Sequence, residues 1–186
     1  MTSDPPAVLP GEREAGRSVV LVLGGARSGK TAHAERLALS LAVADRRPVY
    51  VATGQAFDDE MASRIARHRD DRGARFETIE APTDLAGAVA AAGDGAPVLI
   101  DCLTLWLSNL MLADRDLAAA TAALVEAIDR TRGTLILVSN EVGLGIVPDN
   151  ALARRFRDEA GRLNQTIATR ADRVDFVVAG LPLRVK

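Results

Sequence analysis

Short apolar runs alternate along the chain with longer stretches in which apolar residues recur every three or four positions. The runs have the length of buried strands, and the longer stretches have the spacing of helices. The predicted strands are 18–24, 48–54, 75–81, 96–102, 134–140 and 173–180, with 182–186 as a candidate last edge strand. The predicted helices are 30–44, 58–72, 82–92, 103–113, 116–132 and 148–171. This alternation predicts an α/β fold with a mostly parallel sheet flanked by helices.

The first 17 residues break the pattern. They are rich in proline, glycine and charge and show no periodicity, so we expect a disordered N-terminal tail over residues 1–17. Residues 18–186 contain no second linker and no internal repeat. With 186 residues, of which 48% are hydrophobic, the chain is long enough for one domain with a sizeable core.

Charge and cysteine content narrow the classes of partner. A net charge of −2 gives no reason to expect a nucleic-acid partner or a membrane surface. The most apolar segment, 103–113, is too short to span a bilayer, and the N-terminus has no apolar run of the secretory type. The single cysteine, Cys102, cannot form an internal disulfide, which suits a reducing compartment. We therefore expect a cytoplasmic protein without membrane insertion.

The stretch "GGARSGKT" matches the phosphate-binding pattern G-x-x-x-x-G-K-[ST]. It follows a predicted strand and opens a predicted helix, which is the context that the motif requires. The candidate nucleotide-binding residues are Gly24, Gly25, Ala26, Arg27, Ser28, Gly29, Lys30 and Thr31. Glycines let backbone amides surround phosphates, and the helix N-terminus attracts the same anions. Lys30 is expected to reach the β- and γ-phosphates, and Thr31 to bind Mg²⁺. A chance glycine turn is disfavoured because pattern, strand and helix agree.

A P-loop usually takes its second magnesium contact from an acid at the end of an apolar strand. Asp101 in "PVLID" is that candidate. The alternative is that Asp101 only caps the helix that starts near Leu103. Cys102 beside it is interpreted as a small buried residue and not as a nucleophile.

His68 is one of two histidines in the chain. On the predicted helix it shares a face with Met61 and Ile65, so a buried, hydrogen-bonded histidine is the simplest interpretation. However, neutral imidazole is a competent nucleophile, and His68 follows a strand that ends at the ligand edge of the sheet. Arg69 and Arg72 could then stabilise developing charge. The other histidine, His33, is ranked lower, as helix surface or packing.

The stretch "SNEVGLGIVP" gives two interpretations of equal weight. Glu141 follows a strand and so lies at the ligand edge, while Gly143 and Gly145 make the loop tight or mobile. The alternative is a structural turn leading into the next helix. The arginines of that helix (Arg154, Arg155 and Arg157) could attract an anionic substrate, although a solvated helix face is the more common explanation.

Five stretches together resemble a known family. They are "LVLGGARSGKT", "VATGQAFDDEMASRIARHRDDRG", "LIDCLTLWLSNLM", "VSNEVGLGIVPDNALARRFRDEAGRLNQ" and "VVAGLPLRVK". Over residues 18–186 the chain resembles the bifunctional adenosylcobinamide kinase / adenosylcobinamide-phosphate guanylyltransferase family. The P-loop alone is common to many families, whereas this combination in this order is far more specific.

The resemblance implies two reactions of cobalamin biosynthesis. In the first, ATP or GTP phosphorylates the aminopropanol hydroxyl of adenosylcobinamide. In the second, GMP passes from GTP to adenosylcobinamide phosphate, which gives adenosylcobinamide-GDP and pyrophosphate. The resemblance also implies a RecA-like P-loop NTPase core and a homotrimer.

The resemblance assigns roles to particular residues. The family's guanylylated histidine falls on His68, and Lys30 is the second expected catalytic residue. Besides the P-loop, the implied nucleotide contacts are Ala52, Thr53, Gly54, Arg69, Asp70, Asp71, Arg72 and Glu80. Some relatives have Glu where this chain has Asp101, which keeps the charge on a shorter side chain.

Two other classes stay open at this stage. The chain could be a P-loop kinase of a small alcohol that never uses His68 covalently. It could also be a nucleotide-binding module or NTPase without group transfer to a small molecule.

Overall fold

The computed structural model describes residues 17–43, 46–55 and 73–186. Its strands are β1 (Ser18–Gly24), β2 (Val49–Ala52), β3 (Glu77–Glu80), β4 (Val98–Asp101), β5 (Thr134–Asn140), β6 (Arg173–Val178) and β7 (Leu181–Arg184). Its helices are α1 (Lys30–Ser40), α2 (Leu85–Ala92), α3 (Leu103–Leu112), α4 (Leu117–Arg130) and α5 (Ala151–Arg170), and a 3-10 turn occupies Gly73–Arg75. The residues of the predicted tail up to 16 and the predicted helix 58–72 lie outside these ranges.

The strands form one sheet in the order β3-β2-β4-β5-β1-β6-β7. Every neighbouring pair is parallel except β6 and β7, which form an antiparallel hairpin at one edge. The prediction of a mostly parallel α/β sheet is confirmed. Because the first six strands run the same way, the carboxyl ends of β1, β2, β4 and β5 meet at one edge, where α/β proteins bind ligands.

The sheet buries both of its faces, as expected for parallel strands with continuous apolar sequences. On one face, Val20, Val22 and Leu99 pack with Ala34 and Ala38 of α1. The opposite face packs against residues from α2, α3, α4 and α5, among them Trp106 and Leu163. Within the described ranges, α1 is the only helix on its face of the sheet. The P-loop connects β1 to the N-terminus of this helix.

Two helices begin later than their sequence patterns predict. Asp84 caps α2 by accepting a hydrogen bond from the Gly87 amide (2.8 Å), and Asn150 caps α5 by accepting from the Ala153 amide (2.7 Å). A capping side chain satisfies an otherwise unpaired first-turn amide, and Pro82 and Pro148 therefore lie before the helices and not inside them. Helix α1 ends at Ser40 and not at 44. Among the helices described here, none has the length and hydropathy needed to cross a bilayer.

Candidate nucleotide-binding site

The P-loop connects the end of β1 to the start of α1. Gly29 has a φ of 91°, a left-handed conformation that favours glycine, and its carbonyl accepts the helical hydrogen bond of the His33 amide (3.0 Å). A Cβ atom at Gly24 would lie 2.5 Å from the Ser28 Oγ and 2.7 Å from the Val177 carbonyl oxygen. Backbone conformation at one end of the loop and close packing at the other therefore explain both motif glycines.

Lys30 folds back over the loop. Its side chain is largely buried, and its Nζ donates a hydrogen bond to the Gly25 carbonyl (3.1 Å). The ammonium group is thus held beside the loop backbone and the N-terminus of α1, where a phosphate group would be attracted by both.

The hairpin turn between β6 and β7 braces the loop from outside the motif. The Gly180 amide donates to the Ser28 carbonyl (2.8 Å), and a Cβ on Gly29 would approach the Gly180 Cα to 3.1 Å. Sequence reasoning did not assign this role to Gly180. The only signal was a glycine at the end of a predicted strand, which does not indicate what the turn contacts.

Asp101 and Thr31 are brought together at the carboxyl end of β4. The Thr31 hydroxyl donates to the Asp101 Oδ2 (3.2 Å), and the Tyr50 hydroxyl donates to the same oxygen (2.6 Å). The residue that precedes α3 is Cys102, and no side chain caps that helix, so the capping interpretation of Asp101 is not supported. A carboxylate and a hydroxyl are hard oxygen ligands of the kind that Mg²⁺ prefers.

Cys102 is buried beside Asp101. Burial, followed by the charge of Asp101, raises the pKa of its thiol. Because the thiolate is the reactive form, this supports the interpretation of Cys102 as a packing residue.

Thr53, expected to contact the nucleotide, is fully buried. Its Oγ1 donates to the Cys102 carbonyl (2.9 Å) and accepts from the Cys102 amide (2.7 Å). Its amide donates to the Asp101 carbonyl (3.1 Å), and its carbonyl accepts from the Asn109 side chain (2.8 Å). The polar groups of Thr53 are therefore engaged in joining β2, β4 and α3.

Three other residues expected at the nucleotide lie at the ligand edge with Thr53. Ala52 and Glu80 are paired in register at the ends of β2 and β3, and Gly54 follows in the loop after β2. The structure therefore places Ala52, Gly54 and Glu80 at the ligand edge, where the resemblance implies nucleotide contacts.

The loop after β5 adjoins the P-loop strand. The Glu141 amide donates to the Gly24 carbonyl (3.1 Å), and the Glu141 carboxylate accepts from the Gly143 amide (2.5 Å). Farther along, Leu144 and Ile146 are 82% and 97% exposed. The first residue of this loop is thus hydrogen-bonded to the start of the P-loop, and the residues farther along expose apolar side chains.

Two of the three arginines at the start of α5, Arg154 and Arg157, have local partners. Arg154 donates to the carbonyls of Pro148 (3.0 Å) and Asp149 (2.7 Å), and Arg157 pairs with Asp158. Both stabilise their own helix or its preceding turn. The alternative in which they attract a substrate gains no support from these contacts.

His33 lies in the first turn of α1, and its side chain contacts Asp175 of β6. Its Nε2 lies 2.8 Å from the Oδ2 of Asp175, and Arg173 reaches both carboxylate oxygens at 2.8 Å. Burial acts to raise the pKa of Asp175, but hydrogen bonds and charge from Arg173 and His33 outweigh it, so that the pKa is lowered. His33 is thus paired with a buried carboxylate, which agrees with its interpretation as a helix-surface or packing residue.

The remaining predicted site residues lie outside the described residues. They are His68 and the four residues that follow it, Arg69, Asp70, Asp71 and Arg72.

The strand–loop–helix of the P-loop, with Asp101 two strands away on the same sheet, defines a P-loop nucleotide-binding fold of the α/β class. The profile of the family CobU, described as cobinamide kinase / cobinamide phosphate guanyltransferase, matches residues 20–185. The chain belongs to this family and is an enzyme of the kinase and guanylyltransferase classes.

Two relatives and one solved structure are also similar to this chain. The chain is 50% identical to the bifunctional adenosylcobalamin biosynthesis protein CobP of Pseudomonas aeruginosa, over 89% of this chain and 96% of that protein. It is 43% identical to the bifunctional adenosylcobalamin biosynthesis protein CobU of Salmonella typhimurium, over 90% of this chain and 99% of that protein. A solved ATPase domain aligns with a TM-score of 0.48 at 14% identity, covering 86% of this chain and 69% of that domain.

Proposed function

We propose that the protein catalyses two consecutive steps of adenosylcobalamin biosynthesis. It phosphorylates the aminopropanol hydroxyl of adenosylcobinamide with ATP or GTP, and then transfers GMP from GTP to the new phosphate. The products of the second step are adenosylcobinamide-GDP and pyrophosphate. The observation that carries this proposal is the grouping of Lys30, Thr31 and Asp101 around the P-loop in a chain that belongs to the cobinamide kinase family.

The kinase half depends on positioning and charge. Lys30 and the N-terminus of α1 would stabilise the negative charge that spreads over the transferring phosphate group. Thr31 and Asp101 would hold Mg²⁺, which neutralises phosphate charge when bound. Ala52, Gly54 and Glu80 lie at the same edge and are the candidates for contacts with the rest of the nucleotide. Thr53 would act there mainly by fixing the ends of β2 and β4.

The guanylyltransferase half needs a nucleophile, and His68 is the proposed one. An imidazole nitrogen would attack the α-phosphorus of GTP, forming a P–N bond while pyrophosphate leaves. A phosphate oxygen of adenosylcobinamide phosphate would then attack the same phosphorus, and the P–N bond would break to release His68. Arg69, Asp70, Asp71 and Arg72 are proposed as nucleotide contacts because they follow the histidine.

Mass spectrometry of the intact protein after incubation with GTP and Mg²⁺ tests the covalent step. We expect one added GMP, mapped to His68 and absent in His68→Asn, while phosphorylation of adenosylcobinamide continues. His33→Asn is the matched control and should still be labelled, since His33 is committed to Asp175. Labelling of His68→Asn would exclude the covalent role. Wild-type protein that stays unlabelled, but phosphorylates adenosylcobinamide and releases ADP from ATP, would favour the kinase-only alternative.

Substitution of Lys30 tests the kinase step. Lys30→Ala should reduce kinase turnover by about 10²-fold or more, because its charge acts on the transition state. Lys30→Arg should restore little, since the guanidinium fork is bulkier than an ammonium. The chain's other lysine provides the control: Lys186→Ala removes contacts to the Ala168 and Ala171 carbonyls and should leave turnover intact. A near-normal rate in folded Lys30→Ala would refute the P-loop assignment.

A homotrimer is the proposed assembly. It is supported by the aliphatic side chains exposed at the β6–β7 edge, namely Val178, Leu181, Leu183 and Val185, because exposed apolar patches commonly mark interfaces. Light scattering coupled to gel filtration would measure the mass, and a monomeric mass would exclude the trimer. The cytoplasmic location stays a prediction.

A further inference from the structure

Tyr50 has a polar contact that its sequence context did not reveal. Its side chain is 3% exposed in the core under α1, and its hydroxyl donates a 2.6 Å hydrogen bond to the Oδ2 of Asp101. In the sheet, Tyr50 is in register with Leu99, so it lies diagonally across from Asp101 on the same face. The Phe76 ring packs edge-on against it, with ring centroids 5.8 Å apart. The hydroxyl is therefore held in place by the core.

The hydrogen bonds to Asp101 are distributed unevenly between its two oxygens. Both hydroxyl donors, Tyr50 and Thr31, contact Oδ2. Among the residues that the structure describes, no side chain donates to Oδ1. Two bonds on one oxygen fix the carboxylate plane, and they leave the other oxygen to face a cation or its bound water. The Thr31 oxygen also keeps lone pairs after donating its proton.

We propose that Tyr50 is a positioning residue for the magnesium site: it fixes the orientation of Asp101, and so determines how strongly Mg²⁺ increases nucleotide affinity. This inference rests on the proposed magnesium role of Asp101. Side chains that orient metal ligands affect metal affinity by roughly 10–100-fold when they are lost. The competing explanation is structural: Asp101 would merely satisfy a buried tyrosine hydroxyl, which needs a partner in any case.

The sequence contains a single tyrosine, and this permits a direct observation of the wild-type protein. Tyrosine labelled with ¹³C at Cζ gives one resonance, which reports the hydrogen bonding of the Tyr50 hydroxyl. We expect this resonance to move when Mg²⁺ is added to protein saturated with GMPPNP, and to stay still in Asp101→Asn. The proposal would be overturned if Mg²⁺ tightens GMPPNP binding to the wild type but leaves the chemical shift of this resonance unchanged.

Calorimetry with GMPPNP provides the second measurement, as the ratio of the Kd in EDTA to the Kd in Mg²⁺. Tyr50→Phe keeps the ring and should lower this ratio about 10-fold without changing the Kd in EDTA. Phe76→Leu is the control, because it disturbs the packing of the ring and keeps the hydroxyl; its ratio should match the wild type. An unchanged ratio in Tyr50→Phe, or an equal loss in Phe76→Leu, would refute the positioning role.

Asp101→Asn separates this inference from the proposed function. If Asp101→Asn keeps the full effect of Mg²⁺, the magnesium role of Asp101 is wrong and the Tyr50 inference is wrong with it. If Asp101→Asn loses the effect and Tyr50→Phe retains it, only the role of Tyr50 is wrong. Should Tyr50→Phe fail to fold, the resonance of the wild-type protein decides.

Discussion

Helix α1 lies over two carboxylates whose surroundings differ in one respect. Asp175 of β6 is fully buried and is bound by the guanidinium group of Arg173 and the imidazole of His33. Asp101 of β4 accepts hydrogen bonds from two neutral hydroxyls, those of Tyr50 and Thr31. Both acids are held firmly, but only Asp175 has a cationic partner within the described residues.

The difference separates a structural acid from a candidate functional one. A carboxylate that is already paired with a guanidinium has its charge compensated inside the fold and gains little from a metal ion. A carboxylate that is oriented by neutral donors keeps its charge for a cation that arrives with the substrate. The chemical type of the donors, and not burial or proximity to the P-loop, is therefore the observation on which we propose Asp101, and not Asp175, as the acid that takes part in the reaction.

Substitution at Asp101 should give the largest effect. In Asp101→Asn the amide oxygen still accepts from both hydroxyls, whereas the charge offered to Mg²⁺ is lost. We expect kinase turnover to fall by about 10²-fold at fixed Mg²⁺, while the free energy of unfolding changes by less than about 1 kcal/mol. Steady-state rates in a magnesium titration, with urea unfolding of the same variant, measure both. A large loss of stability with unchanged magnesium dependence would show that Asp101 is a structural acid.

Substitution at Asp175 should have the opposite effect. Asp175→Asn removes the anion that compensates Arg173, so the free energy of unfolding should fall by about 2 kcal/mol; the partial exposure of Arg173 keeps the figure below that of a fully buried pair. Turnover of the folded variant should stay close to that of the wild type. Asp158→Asn, which removes an exposed partner of Arg157, is the control and should cost under about 0.5 kcal/mol. Equal losses of unfolding free energy in Asp175→Asn and Asp158→Asn would mean that the buried pair stabilises the fold no more than an exposed pair does.

The smallest expected effect is on the pH dependence of the free energy of unfolding, compared between the wild type and Asp175→Asn. The pKa of Asp175 is lowered in the folded protein from an ordinary value of 3.8. Its contribution to stability is therefore complete above about pH 4 and is lost only as the pH falls through the lower folded value. Urea unfolding at several pH values should show that the wild type loses more free energy between about pH 4 and about pH 2 than Asp175→Asn does. Parallel pH profiles for the two proteins would contradict an ionised Asp175 held by cations.

Much of the fold was predictable because its signals are local. The apolar runs of β1 and β5 predicted both strands with their observed ends, since buried parallel strands need continuous apolar sequence. The starts of α2 and α5 were predicted less well, because Asp84 and Asn150 cap these helices with side-chain hydrogen bonds that hydrophobic spacing does not reveal.

The P-loop was predictable from the amino-acid sequence alone, and Asp101 was also indicated there. The spacing of Gly24, Gly29, Lys30 and Thr31 is a local requirement of a loop that must curl around phosphate, so it is written in consecutive residues. Only the tertiary structure decided which side chains surround Asp101 and Asp175. Tyr50 is 51 positions away from Asp101, and His33 is 142 positions away from Asp175. The sheet order brings each pair together, and the hydrogen bonds of a carboxylate depend on that distant pairing, which no local pattern records.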